Sequence, residues 1–157
     1  MIPNEKFKFE QTLREDKKIV LLSGMIDEDT TFDEILKLGA PLIFNFKGIT
    51  AINSCGVRNW VNFLKSLGES NAAFEECPPT VVKQMNMIPS FTAGAKIQSV
   101  YAPYVCENCD KETLVLVDTS SFTKGNATIK ETMPCEECKE GDLELDGHPA
   151  QYFSFLK

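Results

Sequence analysis

The sequence predicts an α/β fold: a mixed β-sheet with helices packed on it over residues 1–104, followed by a small β-rich segment over 105–157. Three observations carry this. Strand-like and helix-like patterns alternate through the first two-thirds of the chain, short strand-like pieces without a helical period fill the rest, and four cysteines in two CxxC pairs fall within the second part. With 157 residues, 43% of them hydrophobic, the chain can build a sizeable core.

FKFEQTL (7–13) alternates apolar and polar residues as a half-buried strand does, and KKIVLLSG (17–24) supplies a more continuous apolar run. REDK between them suits a tight turn, so the two read as a hairpin. In TTFDEILKLG, Phe32, Ile35, Leu36 and Gly39 mark a short helix ended by glycine. PLIFNFK (41–47) is apolar on both faces, as in a strand covered on both sides. Val57, Trp60, Val61, Leu64 and Leu67 then recur at helical spacing up to Gly68. NAAFEE reads as a strand, PPTVVKQMNMIP as a helix with proline at its entrance, and KIQSVYAPYV (96–105) as one last strand. Strand, helix, strand, helix, strand in succession implies parallel pairing in the middle of a mixed sheet. TLVLVD, ATIKE, DLELD and AQYFSFL are the short strands expected beyond a boundary near Pro103.

Charge is unevenly spread. Residues 1–104 carry 11 Lys/Arg against 12 Asp/Glu, whereas 105–157 carry 5 against 11, a net of -6 out of the chain's -7. Such a segment repels phosphate backbones, so no nucleic-acid partner is expected, although zinc ribbons elsewhere take that role. No apolar run approaches the roughly 20 residues of a membrane span, and charges stand within the first ten residues. The expectation is a cytoplasmic protein without membrane insertion.

Cys106, Cys109, Cys135 and Cys138 read CENC, 25 residues, CEEC. Two residues between cysteines let both thiolates point to one side of a tight turn, and two such knuckles give zinc a tetrahedral sulfur shell. One structural Zn2+ is the leading reading, because four thiolates leave no open position for a catalytic water. Two local disulfides, a dithiol redox pair or a rubredoxin-like iron site are the competing ones. His148, the only histidine, is surplus to this shell and is expected in a loop.

Ser54, ahead of the periodic helix residues in INSCGVRNW, stands where an N-cap is expected, and a helix amino end also favours a phosphate. Cys55 and Cys77 lie at or just before helices and are the candidate nucleophiles of an alternative thiol enzyme, but neither has a histidine nearby in sequence.

LSGMID, PLIFNFKGIT and INSCGVRNWVNFLKSL together resemble a STAS domain, the module of bacterial anti-sigma-factor antagonists and of the cytoplasmic ends of sulfate transporters. The likeness covers about residues 7–104; the four-cysteine segment is an addition to it. In the antagonists the strand-to-helix loop reads roughly Asp-Ser-Ser-Gly, its first serine phosphorylated by a partner kinase. Asn53 stands here at the aspartate, Ser54 at that serine, Cys55 at the second and Gly56 at the glycine. The resemblance implies a non-enzymatic, protein-binding signalling module switched at Ser54, with an anti-sigma-factor-like serine kinase and a phosphatase as partners. Docking would use Asn53, Ser54, Cys55 and Gly56 with Arg58, Asn59 and Asn62 on the following helix. Asn53 lacks the aspartate's charge, and Cys55 is a weaker hydrogen-bonding group than serine.

Overall fold

In a computed structural model of the chain, which describes residues 6–68, 71–92, 94–123, 126, 129–130 and 132–156, the turn of REDK sits at Glu15 and Asp16. Both take positive φ, 52° and 65°, the backbone twist that suits a two-residue hairpin. They join β1 (Lys8–Arg14) to β2 (Lys17–Ile26) in antiparallel register. β1 is an edge strand: Phe7 and Phe9 pack on the core, but its far end is open and Leu13 is exposed, so the half-buried pattern holds only for its first part.

α1 (Asp33–Leu36), β3 (Leu42–Ile52), α2 (Ser54–Leu67), β4 (Ala72–Glu75), α3 (Pro79–Met87) and β5 (Lys96–Ile97) follow. β2 to β5 pair in parallel and in sequence order, giving the five-stranded order β1-β2-β3-β4-β5, a mixed sheet as expected. Leu42 to Phe46 are buried without interruption, which matches a strand covered on both faces. Trp60 of α2 organises the core. Phe32, Phe44, Phe46, Phe63, Phe74 and Phe91 surround it with ring centroids 5.1 to 5.9 Å away, and its indole N–H donates to Phe91 O at 3.0 Å. That bond lets the largest side chain be fully buried without an orphaned donor.

The stretch read as one strand over 96–105 is two. β5 ends at Ile97 in the first sheet, and β6 (Ser99–Cys106) opens a second sheet with β7 (Glu112–Asp118), β8 (Thr132–Pro134) and β9 (Asp142–Leu145), in the order β7-β6-β9-β8. Gln98 is the crossing point: its N–H donates to Phe74 O at 2.7 Å while its carbonyl accepts from Thr119 N at 3.0 Å. One residue thus satisfies a strand of each sheet, ahead of the composition change at Pro103. Pro103 itself needs no donor there, and its carbonyl accepts from Asp146 N at 2.8 Å.

AQYFSFL is not a strand. Pro149 opens a short helix, α4 (Pro149–Tyr152), and the chain then turns so that Phe153 and Leu156 enter the first core. Asn86 of α3 ties this segment down by donating to Tyr152 O at 3.0 Å. Of the ATIKE piece, residues 127, 128 and 131 lie outside the described residues; Ile129 and Lys130 are in no strand, and Ile129 packs on the first core. Tyr104, fully buried in the second core, donates its hydroxyl to Lys130 O at 2.7 Å.

The helix-free face of the first sheet carries a buried polar cluster. Glu75 accepts from the Arg14 guanidinium and from Asn45 Nδ2 (2.8 Å), Asn45 also donates to Glu76, and the Tyr101 hydroxyl donates to Glu76 Oε1 at 2.8 Å. Burial and that bond to Glu76 push the Tyr101 phenol up to about 12. The cluster fastens β1, β3 and β4 to β6 of the second sheet.

Candidate metal centre and helix entrance

The two CxxC turns are built alike. Asp110 N donates to Cys106 O at 2.9 Å and Lys139 N to Cys135 O at 3.0 Å, and Asp110 and Lys139, each directly after the second cysteine of its pair, take φ of 60°. Cys106 N donates to Lys111 O and Cys135 N to Gly141 O, both at 3.0 Å, closing each turn onto its strand. Side by side, the turns bring all four sulfurs within 4.8 Å of one another.

Cys106 Sγ lies 3.6 Å from Cys138 Sγ, and Cys109 Sγ 3.9 Å from Cys135 Sγ. Four sulfurs at about 2.3 Å from a tetrahedral ion stand roughly 3.8 Å apart, so the spacing fits a metal ion. It does not fit disulfides, which need about 2.0 Å, and the six cysteines are all unbridged. These four residues could therefore hold a metal ion. Cys106 and Cys135 are buried in the second core, Cys138 is partly covered and Cys109 faces solvent.

Amide donors surround two of the sulfurs. Cys106 Sγ accepts from the Asn108 and Cys109 amides, both at 3.4 Å, and Asn108 Nδ2 reaches Cys138 Sγ at 3.6 Å. The Glu140 amide, the Asn108 side chain and the Gly141 amide pull the Cys138 thiol down to about 6. The Lys111 amide also favours the Cys109 thiolate, yet desolvation and protons shared with Cys106, Cys138 and Cys135 hold that thiol up at about 12. Four negative charges cannot gather there without a cation. Gly141 supplies the room: a Cβ on it would stand 2.9 Å from Cys106 Sγ and 2.5 Å from Asn108 Cβ. Asn108 and Gly141 were not singled out from the sequence, where only their places inside and just after a CxxC unit marked them.

At the other site, the helix entrance, the cap is Asn53 and not Ser54. Asn53 has extended backbone (φ -96°, ψ 174°), and its Oδ1 accepts from Gly56 N at 2.7 Å. Ser54 is the first residue of α2 and exposed, so its hydroxyl is left to solvent on the cap's outer side. Asn53 Nδ2 donates to Glu28 Oε2 at 2.8 Å, and Asn59 Nδ2 points at the carbonyls of Asp27, Glu28 and Thr30 at 3.3 to 3.4 Å. The two asparagines thus hold the acidic 27–30 loop against α2, a role that no local pattern announces. Arg58, Cys55 and Asn62 are exposed, and Asn59 and Asn62 line a cleft of about 370 Å³ with Glu28, Thr30 and Ser66. Gly56 is buried where α2 meets the end of β2.

This division predicts a clear contrast. Asn53→Ala should lower unfolding stability by about 1 kcal/mol or more through the lost cap, whereas Ser54→Ala should stay within about 0.5 kcal/mol of wild type in urea titrations. Equal losses, or a larger one from Ser54→Ala, would contradict the assignment of the cap to Asn53.

The other candidates are separate from both sites. Cys77 is fully buried, and burial, with Glu75 nearby, raises its thiol well above the ordinary value. His148 is exposed at the entrance of α4, as expected of a loop residue. No helix among the described residues is long and apolar enough to cross a membrane. No family model matches the chain, and no curated protein is significantly similar to it.

Proposed function

We propose that this chain is a non-enzymatic regulatory module of the STAS type, docking a protein partner at the entrance of α2 and switched by phosphorylation of Ser54. The observation that carries the reading is the exposed serine at the first position of a capped, amphipathic helix directly after a covered strand. Asn53 occupies the Gly56 amide, which leaves the Ser54 and Cys55 amides without intrahelical acceptors at the helix end that favours an anion. Arg58, one turn further on the same face, offers a cation to it.

Asn53 lacks the family aspartate's charge, but Glu28, bonded to Asn53 Nδ2, brings a carboxylate to the same corner. A phosphate would add nearly two further negative charges there, enough to change which partner binds without unfolding the helix. A serine kinase of the anti-sigma-factor type and a phosphatase are the partners this implies, in the cytoplasm. The four-cysteine centre holds one Zn2+ as a structural ion: four thiolates close its shell, and Asp110 and Lys139 stand where rubredoxin-type iron knuckles customarily use glycine.

Phosphopeptide mapping of protein isolated from its source cell tests the switch. Phosphate is expected on Ser54; its absence from Ser54 under every growth condition, with other residues modified or none, would remove that part of the reading.

A further inference from the structure

Among the described residues, no strand covers the β7 edge of the second sheet. Cys106 N bonds Lys111 O at one end of β7 and Thr119 N bonds Gln98 O at the other, which fixes the phase of the ladder between them. Thr113, Val115 and Val117 exchange hydrogen bonds with β6, so the amides and carbonyls of Glu112, Leu114, Leu116 and Asp118 point away from it. Among the described residues no strand pairs on that side. The same four residues are exposed, Leu114 by 47% and Leu116 by 50%. A free edge carrying two large apolar side chains is a template for another strand.

Charge decides what the strand is. A second copy is disfavoured, because antiparallel pairing of two β7 edges about Val115 would set Glu112 against Asp118 at both ends, and parallel pairing in register would set like on like. Lys111, beside the strand, is taken up by Glu137 at 2.9 Å, and Ser120 holds the Asp118 carboxylate in place through its amide (2.9 Å) and hydroxyl (2.6 Å), with Lys96 near enough to add a smaller attraction and Glu112 left as the stronger anchor. We infer that the β7 edge docks an extended segment of a partner protein in which two apolar residues at alternate positions are flanked, again at alternate positions, by lysine or arginine. Main-chain bonds to the edge supply affinity, and the pairs opposite Glu112 and Asp118 supply selectivity. The surface is separate from the α2 entrance and stands or falls independently of it.

The probe is a dye-labelled, end-blocked peptide Lys-Thr-Val-Thr-Val-Thr-Lys, measured by fluorescence anisotropy with the metal-loaded full chain at low salt. Two control peptides accompany it, one with glutamate for both lysines and one with N-methyl groups on the two valines, whose amides would face β7. The lysine peptide should bind about tenfold or more tightly than the glutamate peptide, and N-methylation should abolish binding. In the Glu112→Lys/Asp118→Lys protein, which changes only exposed side chains, the preference should reverse. Equal binding of all three peptides, no binding of the lysine peptide, an unchanged preference in the double variant, or wild-type dimers that Leu116→Lys dissociates would each overturn the proposal.

Discussion

A Cys106→Ser protein is expected to lose its metal and, with it, the ordered end of the second sheet. Serine nearly matches cysteine in size, so the change removes a sulfur ligand and little packing. Cys106 is the fully buried member of the set, joins β6 to its turn, and belongs to a small core whose buried members among the described residues are Ala102, Tyr104, Cys106, Cys135 and Leu143, with a fringe of half-buried neighbours. So small a core cannot order two turns and three short strands alone, and a structural zinc contributes on the order of 10 kcal/mol to such folds. Elemental analysis should therefore fall from the one metal ion per chain proposed above, zinc by that reading, to nearly none, and the melting temperature should drop by about 10 °C or more. Asn108→Ala should be milder, weakening metal binding roughly 10- to 100-fold while leaving wild-type zinc content at saturating metal. Cys106→Ser with undiminished zinc would show that the four sulfurs are not its shell.

Gly56→Ala is expected to be the most damaging single methyl group near the helix entrance. An added Cβ would stand 2.2 Å from Ile26 O, 2.6 Å from Ile26 C and 2.9 Å from Asp27 N. All three are backbone atoms at the end of β2, so none can swing aside as a side chain could. Relief requires α2 to move off the sheet, against the packing of Trp60 and Phe63. Overpacking of this kind costs about 3 kcal/mol, which lowers the melting temperature by roughly 6–12 °C in a chain of this size. A loss under about 1 kcal/mol in urea titrations would mean that the helix entrance is looser than described. The glycine of the INSCG loop is thus explained by close approach alone, whatever binds there.

Much of the fold was legible because burial imposes period. Val57, Trp60, Leu64 and Leu67 announce the buried stripe of α2, and PLIFNFK announces a strand covered on both sides, though not that a polar cluster around Asn45 and Glu75 covers one of them. The four-cysteine centre was legible as spacing, since a CxxC turn is a local structure. What escaped was decided by side-chain reach at a helix start or by distant partners. Ser54 and Asn53 are comparable caps in isolation, and only the reach of Asn53 Oδ1 to the Gly56 amide separates them. Gln98 sits inside an unbroken strand pattern, yet its two backbone groups serve different sheets. AQYFSFL reads as a short strand-like piece, and its helix follows from Pro149 and from the apolar surface near α3 that Phe153 and Leu156 cover. Glu75 looks like an ordinary surface carboxylate until Arg14 and Asn45, far away in sequence, close over it.

The claim on which the functional account rests is that the α2 entrance is a docking surface whose occupancy Ser54 controls. Quantitative affinity capture from the source cell, run in parallel with wild type, Ser54→Ala and Ser54→Asp, tests it most directly. The account predicts at least one protein that the alanine form retains and the aspartate form loses, and that Asn62→Arg, a change on the same exposed face, also loses. An identical set of bound proteins from all four baits would contradict it.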